Sequence, residues 1–387
     1  MKKILLLIFS LSMMSAAAQT GSKLHKKAIV VDTHGDIMLH QIESGADLAK
    51  LQDGGNFDLV RAKRGGLDVQ VFSIWCDASG GYAMANRQID SLEALVKRHP
   101  GQISLVRNAA ELRSAVKQNK LAAMIGVEGG HMIEDRMDYL EALAKRGMTY
   151  MTLTWNNSTS WASSAADETF NKESLKHIGL TDFGKQVVKR MNELGVIVDL
   201  SHVGETAFYE AIKVSVKPVI ASHSSAYVFN AHQRNLKDDQ IRAIAKTGGV
   251  VFVNFYSGFL DSTYSPKQKR FNASHKSEFD VLNKKYQSPS KASAEIDVKY
   301  RQELEDMRAP LSLLIDHIDH LVKLVGADHV GLGADFDGAE SFPKGLDDVS
   351  NYPLITEALL QRGYSHKNVK KILGANFIRL LKANEPD

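Results

Sequence analysis

Short apolar runs that end in polar residues recur eight times along this sequence. They are rich in β-branched side chains and bounded by polar turns, a pattern typical of buried β-strands. The runs are AIVVDTH (28–34), LDVQVFSIW (67–75), LAAMIGVE (121–128), MTYMTLTW (148–155), VIVDLSH (196–202), PVIASH (218–223), GVVFVNFY (249–256) and HVGLGAD (329–335). The pattern therefore predicts eight strands, each followed by polar residues.

Segments with helical periodicity separate these runs. Examples are ELRSAVKQN, MDYLEALAKR, TDFGKQVVKRMNEL, GETAFYEAIKV and DDQIRAIAKT. Repeated strand–helix alternation predicts parallel strands, and eight such units can close into an α/β fold of the (β/α)₈ TIM-barrel type. A doubly wound open sheet is the alternative that the pattern leaves open.

Two regions interrupt the alternation. Residues 41–64 are interpreted as an early loop before the second strand, and residues 261–307 as a long polar insertion before the last strand. Loops of that length are unusual in a compact domain and are often functional or mobile. The insertion is interpreted as a cover over the barrel mouth, with a plain solvated insertion as the alternative. Residues 352–383 predict one or two terminal helices.

The amino terminus has the pattern of a secretory signal. Lys2 and Lys3 precede an apolar run of about 11 residues, and AAAQ (16–19) provides a small-residue cleavage site. A bilayer span would need about 20 apolar residues. We therefore expect an exported protein, periplasmic or secreted, with residues 1–18 removed near Ala18. Residues 19–387 would form a single (β/α)₈ domain.

Charge and cysteine content narrow the choice of partners. The chain carries a formal charge of +3, and removing residues 1–18 takes away two lysines and no acid, which leaves +1. This balance offers no basic excess, so neither nucleic acid nor anionic lipid is expected as a partner. The single cysteine, Cys76, cannot form an internal disulfide. No later segment is apolar enough to predict a membrane span.

Residues that can bind metal follow several of the predicted strands. The carboxyl ends of barrel strands face one cavity, which makes six residues candidate ligands or catalysts: His34, Asp36, Glu128, His202, His223 and Asp335. Residues two apart share one face of a strand, as His34 and Asp36 would. Histidine nitrogens with carboxylate oxygens suit Zn²⁺ better than Mg²⁺ or Ca²⁺. The presence of Glu128 as well suggests two ions joined by a carboxylate and a shared hydroxide.

Most other histidines lie away from the strand ends. Six are predicted at the surface: His25, His40, His99, His177, His275 and His366. His317 and His320 occur in LSLLIDHIDHLVKLV and are predicted in the core or on a helix face. His131 and His232 lie close to the candidate ligands, and both a supporting and an ordinary structural role stay open for them.

Eight short motifs give the sequence a family resemblance. They are VVDTHGDI, GVEGGH (126–131), DLSHVG (199–204), ASHSSA (221–226), HQRNLKDD (232–239), VNFYSGF (253–259), HVGLGADFDG (329–338) and RGYSHKNVKKILGANF (362–377). In these motifs the chain resembles the membrane dipeptidase (renal dipeptidase) family of dinuclear zinc peptidases. The motifs extend in order over nearly the whole chain after residue 18. The resemblance implies two Zn²⁺ per chain, a small dipeptide as substrate and a possible homodimer.

The resemblance also implies a role for each matching residue. The metal ligands would be His34 and Asp36 at the first ion, Glu128 as the bridge, and His202 and His223 at the second ion. Arg234 matches the arginine that binds the carboxylate of the substrate, a task suited to a planar guanidinium. Asp335, favoured over Asp337 by its position at the strand end, matches the acid that accepts and returns the proton. Tyr256 would line the pocket, with a core or rim position as the alternative.

One position departs from the family pattern. The family commonly has a Thr-His pair after the fourth strand, whose histidine helps to hold the scissile carbonyl oxygen, whereas this chain has Trp155 there. An indole N–H donates one hydrogen bond but carries no charge and transfers no proton. Asn156 or Asn157 would be a substitute donor, or the metals alone would polarise the carbonyl. The reaction class is unaffected, but substrate preference is open at this position.

Together these features predict a zinc-dependent dipeptidase. It would hydrolyse dipeptides, including those with a C-terminal D-residue, by attack of a metal-bridging hydroxide. One alternative is a related barrel metallohydrolase that acts on N-acyl amino acids or on another amide or lactone. A more distant alternative is a periplasmic protein that binds peptides without cleaving them, although such proteins normally have two lobes joined by a hinge.

Overall fold

The computed structural model describes residues 21–77 and 80–386, without the side chains of His40 and Ser290. The predicted signal peptide (1–18) and its cleavage near Ala18 lie outside the described residues, as does the side chain of His40. The assignment of residues 19–387 to one domain stays a prediction as well. Within the described residues, no helix is long and apolar enough to cross a membrane.

Parallel strands form a barrel that is nearly closed. The strands in chain order are β1 (Val31–Asp32), β2 (Val69–Ile74), β3 (Ile103–Leu105), β4 (Leu121–Val127), β5 (Met148–Thr152), β6 (Ile197–Asp199), β7 (Ile220–Ala221), β8 (Val250–Val253) and β9 (Val330–Leu332). Their spatial order is β1-β2-β4-β5-β6-β7-β8-β9, all paired in parallel. The ends meet just beyond β1 and β9, where the amide of Asp36 donates to the carbonyl of Phe336 at 2.9 Å. The predicted (β/α)₈ barrel is confirmed.

The ninth strand, β3, was missed by the sequence interpretation. It pairs only with β4, through Ile103 opposite Leu121, and lies outside the barrel order. Its three residues, Ile-Ser-Leu, include only one that is fully buried. So short a run carries too little periodicity to be distinguished from a loop.

Helices cover the outside of the barrel. In chain order they are α1 (Ile37–Ser44), α2 (Leu59–Arg64), α3 (Gly81–Arg98), α4 (Ala109–Lys117), α5 (Met137–Lys145), α6 (Ala165–Phe170), α7 (Asp182–Leu194), α8 (Glu205–Val214), α9 (Asp238–Lys246), α10 (Ser257–Leu260), α11 (Tyr264–Tyr286), α12 (Pro289–Lys299), α13 (Arg301–Met307), α14 (Leu311–Val325), α15 (Tyr352–Gln361), α16 (His366–Lys370) and α17 (Asn376–Asn384). A π-helical segment, Lys371–Ala375, joins the last two. The terminal region is helical as predicted, but it forms three helices instead of one or two.

The barrel interior is filled by apolar side chains from alternating strand positions. The buried cluster there includes Val31, Val69, Val71, Met124, Tyr150, Ile197, Ile220, Val250 and Phe252, together with Phe377 and Ile378 of α17. Such packing makes the interior a core and not a channel. Polar groups are consequently gathered at the carboxyl ends of the strands, where the loops begin.

Both regions interpreted as loops contain helices. Residues 41–64 include the end of α1 and all of α2. Asp58 caps the start of α2, where its side chain accepts from the amide of Arg61. Residues 261–307 form α11, α12 and α13. Their apolar residues are sparse, but Leu282, Ala292 and Ile296 make a small core of their own. The loop interpretation was wrong because this small cluster stabilises helices that show little amphipathic periodicity in sequence.

The inserted helices border the barrel mouth at the start of α11. The rings of Tyr264 and Tyr256 lie 5.7 Å apart. Gln268 donates to a carboxylate oxygen of Glu340 at 2.7 Å, and Tyr256 donates to the same oxygen at 2.7 Å. The start of the insertion therefore contacts two residues of the mouth, Tyr256 and Glu340.

Two histidines outside the strand ends are buried. His25, predicted at the surface, is only 4% exposed, with Nδ1 2.7 Å from the Thr356 hydroxyl and Nε2 2.8 Å from the carbonyl oxygen of Gly65. That prediction was wrong because its contacts come from residues remote in sequence. His317 is fully buried, as predicted. It accepts from the amide of Ala226 at 3.0 Å and donates to the carbonyl of Leu260 at 3.1 Å, and thereby ties the loops after β7 and β8.

Acid should destabilise the fold through His317. Burial lowers its pKa from 6.5 to about 4, so between these values the unfolded chain binds a proton that the folded chain does not. Stability from this group is present at neutral pH and is lost as the pH falls through that window, by about 2 kcal/mol at pH 5. Urea denaturation at pH 7 and pH 5 should show a smaller loss for His317→Gln than for wild type. Exposed His366→Gln serves as the control, and equal losses for wild type and His317→Gln would contradict the prediction.

Candidate metal and active site

Glu128 is the centre of the candidate site. It follows β4 directly, is 2% exposed, and reaches histidines from three other strand ends. Its Oε2 lies 3.3 Å from Nε2 of His34, whereas its Oε1 lies 2.8 Å from Nε2 of His202 and 3.6 Å from Nε2 of His223. The two oxygens of one carboxylate thus face two separate groups of candidate ligands.

The first group lies beyond β1 and β9. His34 Nε2 is 3.7 Å from Asp36 Oδ1 and 3.9 Å from Asp335 Oδ1. Donor atoms of these three residues all lie within 4.8 Å of one another, as do those of His34, Glu128 and His223. The sequence prediction that His34 and Asp36 lie side by side agrees with this placement, although both lie in the segment after β1 and not in the strand itself.

The second group is formed by His202 and His223, which follow β6 and β7. Their Nε2 atoms are 3.0 Å apart, and the side chains are 8% and 1% exposed. With Glu128 they provide two nitrogens and one oxygen that converge on one point. All five predicted ligands are therefore brought together.

Each of the three histidines is held through its Nδ1 atom. His34 donates to the hydroxyl of Tyr150 at 2.8 Å, and that hydroxyl in turn donates to the carbonyl of Thr33. His202 lies 3.1 Å from Oδ1 of Asn156. Because each partner is an oxygen that can accept, these contacts place the proton on Nδ1 and leave the lone pair of Nε2 for a metal.

His223 is oriented by a longer chain of contacts. Its Nδ1 lies 2.8 Å from the hydroxyl of Ser222, which donates to Asp199 at 2.6 Å. Asp199 also accepts from Thr152 and from the amide of Ser222. The sequence interpretation missed these supporting residues. The one available signal was adjacency, because Ser222 directly precedes a predicted ligand.

A glycine makes room for Tyr150. A Cβ atom placed on Gly126 would lie 2.2 Å from the Tyr150 ring, so only glycine lets that ring pass across the barrel to His34. Tyr150 is fully buried. The side chain of Tyr150 therefore extends from β5 across the barrel interior, and its hydroxyl contacts His34 beyond β1.

Removing this hydroxyl should weaken metal binding. In Tyr150→Phe, His34 loses the acceptor that fixes its ring, and affinity for Zn²⁺ should fall about 10- to 100-fold. Competition with a chromophoric chelator measures this affinity directly. The control is Tyr209→Phe, because the Tyr209 hydroxyl donates to Asp239 at an exposed position. Equal affinities for wild type and Tyr150→Phe would show that Tyr150 does not position the ligand.

Two of the site residues adopt left-handed backbone conformations. His202 has φ 64° and Asp335 has φ 65°. Such conformations are uncommon for residues with a Cβ and persist only where surrounding contacts stabilise them. At the ends of β6 and β9 they turn the side chains into the site instead of allowing the chain to continue as a strand.

The electrostatics of the site favour a bound cation. Burial and the charge of Glu128 raise the pKa of Asp36 to about 8. Burial also raises the pKa of Asp335, whereas at Glu128 the adjacent His34 and His202 outweigh burial and lower its pKa well below the usual value. The protein groups alone therefore do not keep all three carboxylates ionised at neutral pH.

Unpartnered atoms also indicate a cation. Among the described residues, His34 Nε2 and Asp36 Oδ1 are buried and have no hydrogen-bond partner. Since Nδ1 of His202 and of His223 carries the proton, their Nε2 lone pairs face each other at 3.0 Å, an arrangement that is repulsive without a cation nearby. Nitrogen and carboxylate donors in this arrangement suit Zn²⁺. The residues present fit a metal centre of this kind.

A cavity of about 300 Å³ opens above the candidate ligands. The predicted substrate-binding residues, Arg234, Trp155 and Tyr256, all line it, as do Asp36, Glu128, His202 and Asp335. Tyr256 is a rim residue whose hydroxyl donates to Glu340. The volume is at the lower end of the range for small-molecule sites, which restricts the cavity to small substrates.

Arg234 contributes a buried positive charge to this cavity. It is 4% exposed, and its guanidinium lies 3.3 Å from the carbonyl of His223 and 3.5 Å from the hydroxyl of Ser224. Its Nε has no partner among the described residues. Burial lowers its pKa to about 10, so the group stays protonated at neutral pH. His232, whose role was left open, accepts from the amide of Arg234 at 3.2 Å.

Asp335 and Asp337 have different environments. Asn254 donates to Oδ2 of Asp335 at 2.9 Å, which leaves Oδ1 directed toward His34. Asp337 accepts from the amide of Asn56 at 2.7 Å. Of the two, Asp335 is the one whose carboxylate is placed among the candidate ligands.

Trp155 lies beside a second tryptophan that sequence reasoning missed. Its ring is 4.7 Å from that of Trp75, and both line the cavity. Asn156, one of the proposed substitute donors, lines the cavity and contacts His202.

The Nε2 atom of His131 lies 3.0 Å from the carbonyl oxygen of Cys76, so this histidine supports the wall of the site.

Comparison with sequence families and relatives agrees with these features. Residues 18–386 match the family described as Membrane dipeptidase (Peptidase family M19). A protein from Schizosaccharomyces pombe, named Uncharacterized dipeptidase C965.12, is 31% identical over 391 residues. The alignment covers 95% of this chain and 83% of the relative.

Solved structures share the barrel. The probable dipeptidase PvdM from Pseudomonas aeruginosa gives a TM-score of 0.80 at 24% identity and covers 96% of this chain and 98% of that one. A metallopeptidase from Rhodobacter sphaeroides, solved with a phosphinate mimic of the dipeptide L-Ala-D-Ala, gives 0.75 at 24% identity, with coverage of 92% and 100%. At these identities the likeness shows the fold.

Proposed function

This chain belongs to the membrane dipeptidase family of metallopeptidases, and from that premise we propose that it is a zinc-dependent dipeptidase. Its substrates would be dipeptides, including those with a C-terminal D-residue. The observation that carries the proposal is one cavity lined by the buried Arg234 together with four candidate site residues, Asp36, Glu128, His202 and Asp335. His34 and His223 lie against Glu128. The cavity provides an anchor for a free carboxylate beside a set of metal ligands.

The ligands divide between two ions. His34 and Asp36 would hold the first, His202 and His223 the second, and Glu128 would bridge them through its two oxygens. Zinc bound here would supply Lewis-acid chemistry, which would polarise a carbonyl and lower the pKa of water toward neutrality for attack on the peptide bond. Substrate binding and proton transfer are then carried out by side chains of the protein.

Arg234 and Asp335 perform those steps. The guanidinium of Arg234 pairs with the α-carboxylate of the substrate and thereby fixes both its orientation and its length. Asp335, with its pKa raised by burial, accepts the proton released by the attacking water at Oδ1 and returns it to the leaving amine. Asn254 keeps the other oxygen of this carboxylate in place.

The donor that the family supplies as a histidine is replaced here. Asn156 lies at the cavity surface, and because its Oδ1 accepts from His202, its amide N–H groups are available to the scissile carbonyl. Tyr256 closes the side of the cavity near Glu340. We extend the proposal to an exported enzyme, periplasmic or secreted, and to a possible homodimer.

Removal of metal should abolish the activity. The purified chain should bind about two zinc ions, and chelation should eliminate hydrolysis of L-Ala-D-Ala, because Asp335 is too weak a base to generate hydroxide unless a cation lowers the pKa of the water. Zinc analysis and a ninhydrin or coupled amino-acid assay on the same samples test this. Activity that survives complete removal of metal would contradict the proposal, as would failure of zinc to restore it.

A second candidate is hydrolysis of N-acyl amino acids. The tryptophan pair favours it, because an apolar wall accommodates an acyl group as readily as a side chain. Arg234 would bind the same carboxylate in either substrate. Comparison of kcat/KM for Ala-Ala and N-acetyl-Ala separates the two, since only the dipeptide carries a free ammonium group.

A further inference from the structure

We infer that Trp75 and Trp155 form a subsite for the side chain of the first residue of the dipeptide, and that this subsite selects large apolar or aromatic side chains. The inference rests on the proposed function, because it assumes a dipeptide bound with its carboxylate on Arg234. It goes further by naming the class of dipeptide that the site prefers.

The two indole rings form a continuous apolar wall. Their centroids lie 4.7 Å apart with the planes inclined by 53°. Both side chains are partly buried, and both line the cavity that holds the candidate ligands, with Leu39 of α1 beside them. Because the two side chains are only partly buried, their apolar surface is available to a ligand bound in the cavity.

The strand order places this wall across the site from Arg234. Trp75 follows β2, and Arg234 is held against the carbonyl of His223 just beyond β7. In the order β1-β2-β4-β5-β6-β7-β8-β9 these two strands are four places apart, so they lie on opposite sides of an eight-stranded ring. Trp155 follows β5, which is two places from each of these strands, and its ring lies on the Trp75 side because the two indoles are in contact.

That separation assigns the wall to one residue of the substrate. When the α-carboxylate lies on Arg234, the second residue is next to β7 and β8, and the scissile bond lies over the central ligands around Glu128. The first residue then extends toward β2 and β5. Its side chain therefore meets Trp75 and Trp155.

Both tryptophans are held in place before substrate arrives. The backbone of Trp75 is bound twice by Gln88 of α3, which accepts from its amide and donates to its carbonyl. Trp155 packs on Gly129, where an added Cβ atom would lie 3.2 Å from the Trp155 Cβ. These contacts fix the backbone of Trp75 and the Cβ atom of Trp155, so less ordering is needed when a side chain binds against the rings.

The chemistry of the wall sets the expected preference. Indole faces bury large apolar area and stack with other aromatic rings. Since even one methylene group in an apolar pocket is worth about 10- to 200-fold in kcat/KM, Phe-Ala should be preferred to Ala-Ala by at least about 10-fold. A bulky second residue, as in Ala-Phe, should gain nothing from the tryptophans.

The test compares zinc-loaded wild type with Trp75→Ala and Trp155→Ala on Phe-Ala, Ala-Phe and Ala-Ala. In each variant the loss of kcat/KM should be at least about 10-fold greater on Phe-Ala than on Ala-Phe or Ala-Ala. Tyr139→Ala is the matched control. The ring of Tyr139 stacks on that of Tyr82 with their centroids 3.7 Å apart, and neither residue lines the cavity. Zinc content and circular dichroism of each variant verify that it folds and binds metal.

Other outcomes would overturn the inference. Equal losses on Phe-Ala and Ala-Ala would show that the tryptophans act on the reaction and not on the side chain. A loss confined to Ala-Phe would assign them to the second residue. No preference for Phe-Ala in wild type would mean that the wall selects nothing.

A binding measurement separates this inference from the proposed function. Titration of the phosphinate analogues of Phe-Ala and Ala-Ala by isothermal calorimetry requires no turnover. If wild type cleaves neither dipeptide but binds the Phe-Ala analogue more tightly, and Trp75→Ala loses that difference, the subsite stands and the dipeptidase activity fails. Equal binding of both analogues by wild type would overturn the subsite whatever the activity.

Discussion

Asp335→Asn should lower kcat for a dipeptide by about 100- to 10,000-fold, the usual contribution of a positioned general acid or base. Asparagine preserves the shape of the side chain and its contact with Asn254, and it tolerates the left-handed backbone found here, with φ 65°. It cannot accept a proton at Oδ1. The defect should therefore appear in kcat, with KM nearly unchanged, when initial rates are measured over a range of Ala-Ala concentrations.

Asp337→Asn is the matched control for this substitution. Asp337 lies two residues away with a similar backbone, φ 64°, but its carboxylate accepts from the amide of Asn56. Its replacement should cost much less activity than that of Asp335. Zinc content should be equal in both variants, which excludes loss of metal as the cause. Full turnover in Asp335→Asn, or a greater loss in Asp337→Asn, would contradict the assignment of the proton transfer to Asp335.

Arg234→Ala should also have a large effect, mainly on kcat/KM. Truncating one partner of a buried, hydrogen-bonded charge pair costs about 2–5 kcal/mol, which corresponds to roughly 30- to 5,000-fold. Arg234 is nearly inaccessible to solvent and retains its charge at neutral pH, so its contact with a carboxylate belongs in this class. Arg234→Lys should recover only part of the loss, because an ammonium cannot make the paired contact.

A dipeptide amide shows whether the arginine acts on the carboxylate. Wild type should cleave Ala-Ala-NH₂ much more slowly than Ala-Ala, because the amide offers no negative charge to Arg234. In Arg234→Ala the difference between the two substrates should nearly disappear, as in a double-mutant cycle. If the variant still discriminates as strongly as wild type, another group binds the carboxylate.

The barrel was readable from sequence because its strands are buried on both faces. Such strands appear as continuous apolar runs, and all eight runs correspond to strands in the expected order. The helices of residues 261–307 were not readable. They are stabilised by a small core of buried residues, Leu282, Ala292 and Ile296, which leaves a mostly polar sequence without a strong period. His25 was misplaced for a similar reason, since its partners are remote in sequence.

In the candidate site as well, some residues could be predicted from sequence and others could not. The convergence of the five candidate ligands could be predicted because they lie at strand ends, where the fold itself brings residues together. Their supporting residues could not. Tyr150 is in the middle of β5 and reads as an ordinary core residue, yet its hydroxyl meets His34 across the barrel. Trp75 likewise ends an apolar run, and only the structure places it against Trp155.

The most direct test of the dinuclear centre is a crystal structure of the zinc-loaded chain with a phosphinate dipeptide analogue, recorded at the zinc absorption edge. We expect two anomalous peaks per chain, one beside His34 and Asp36 and one beside His202 and His223. Glu128 should lie between them, and the carboxylate of the analogue should pair with Arg234. One peak or none at these residues, or an analogue whose carboxylate lies away from Arg234, would contradict the proposed zinc dipeptidase site.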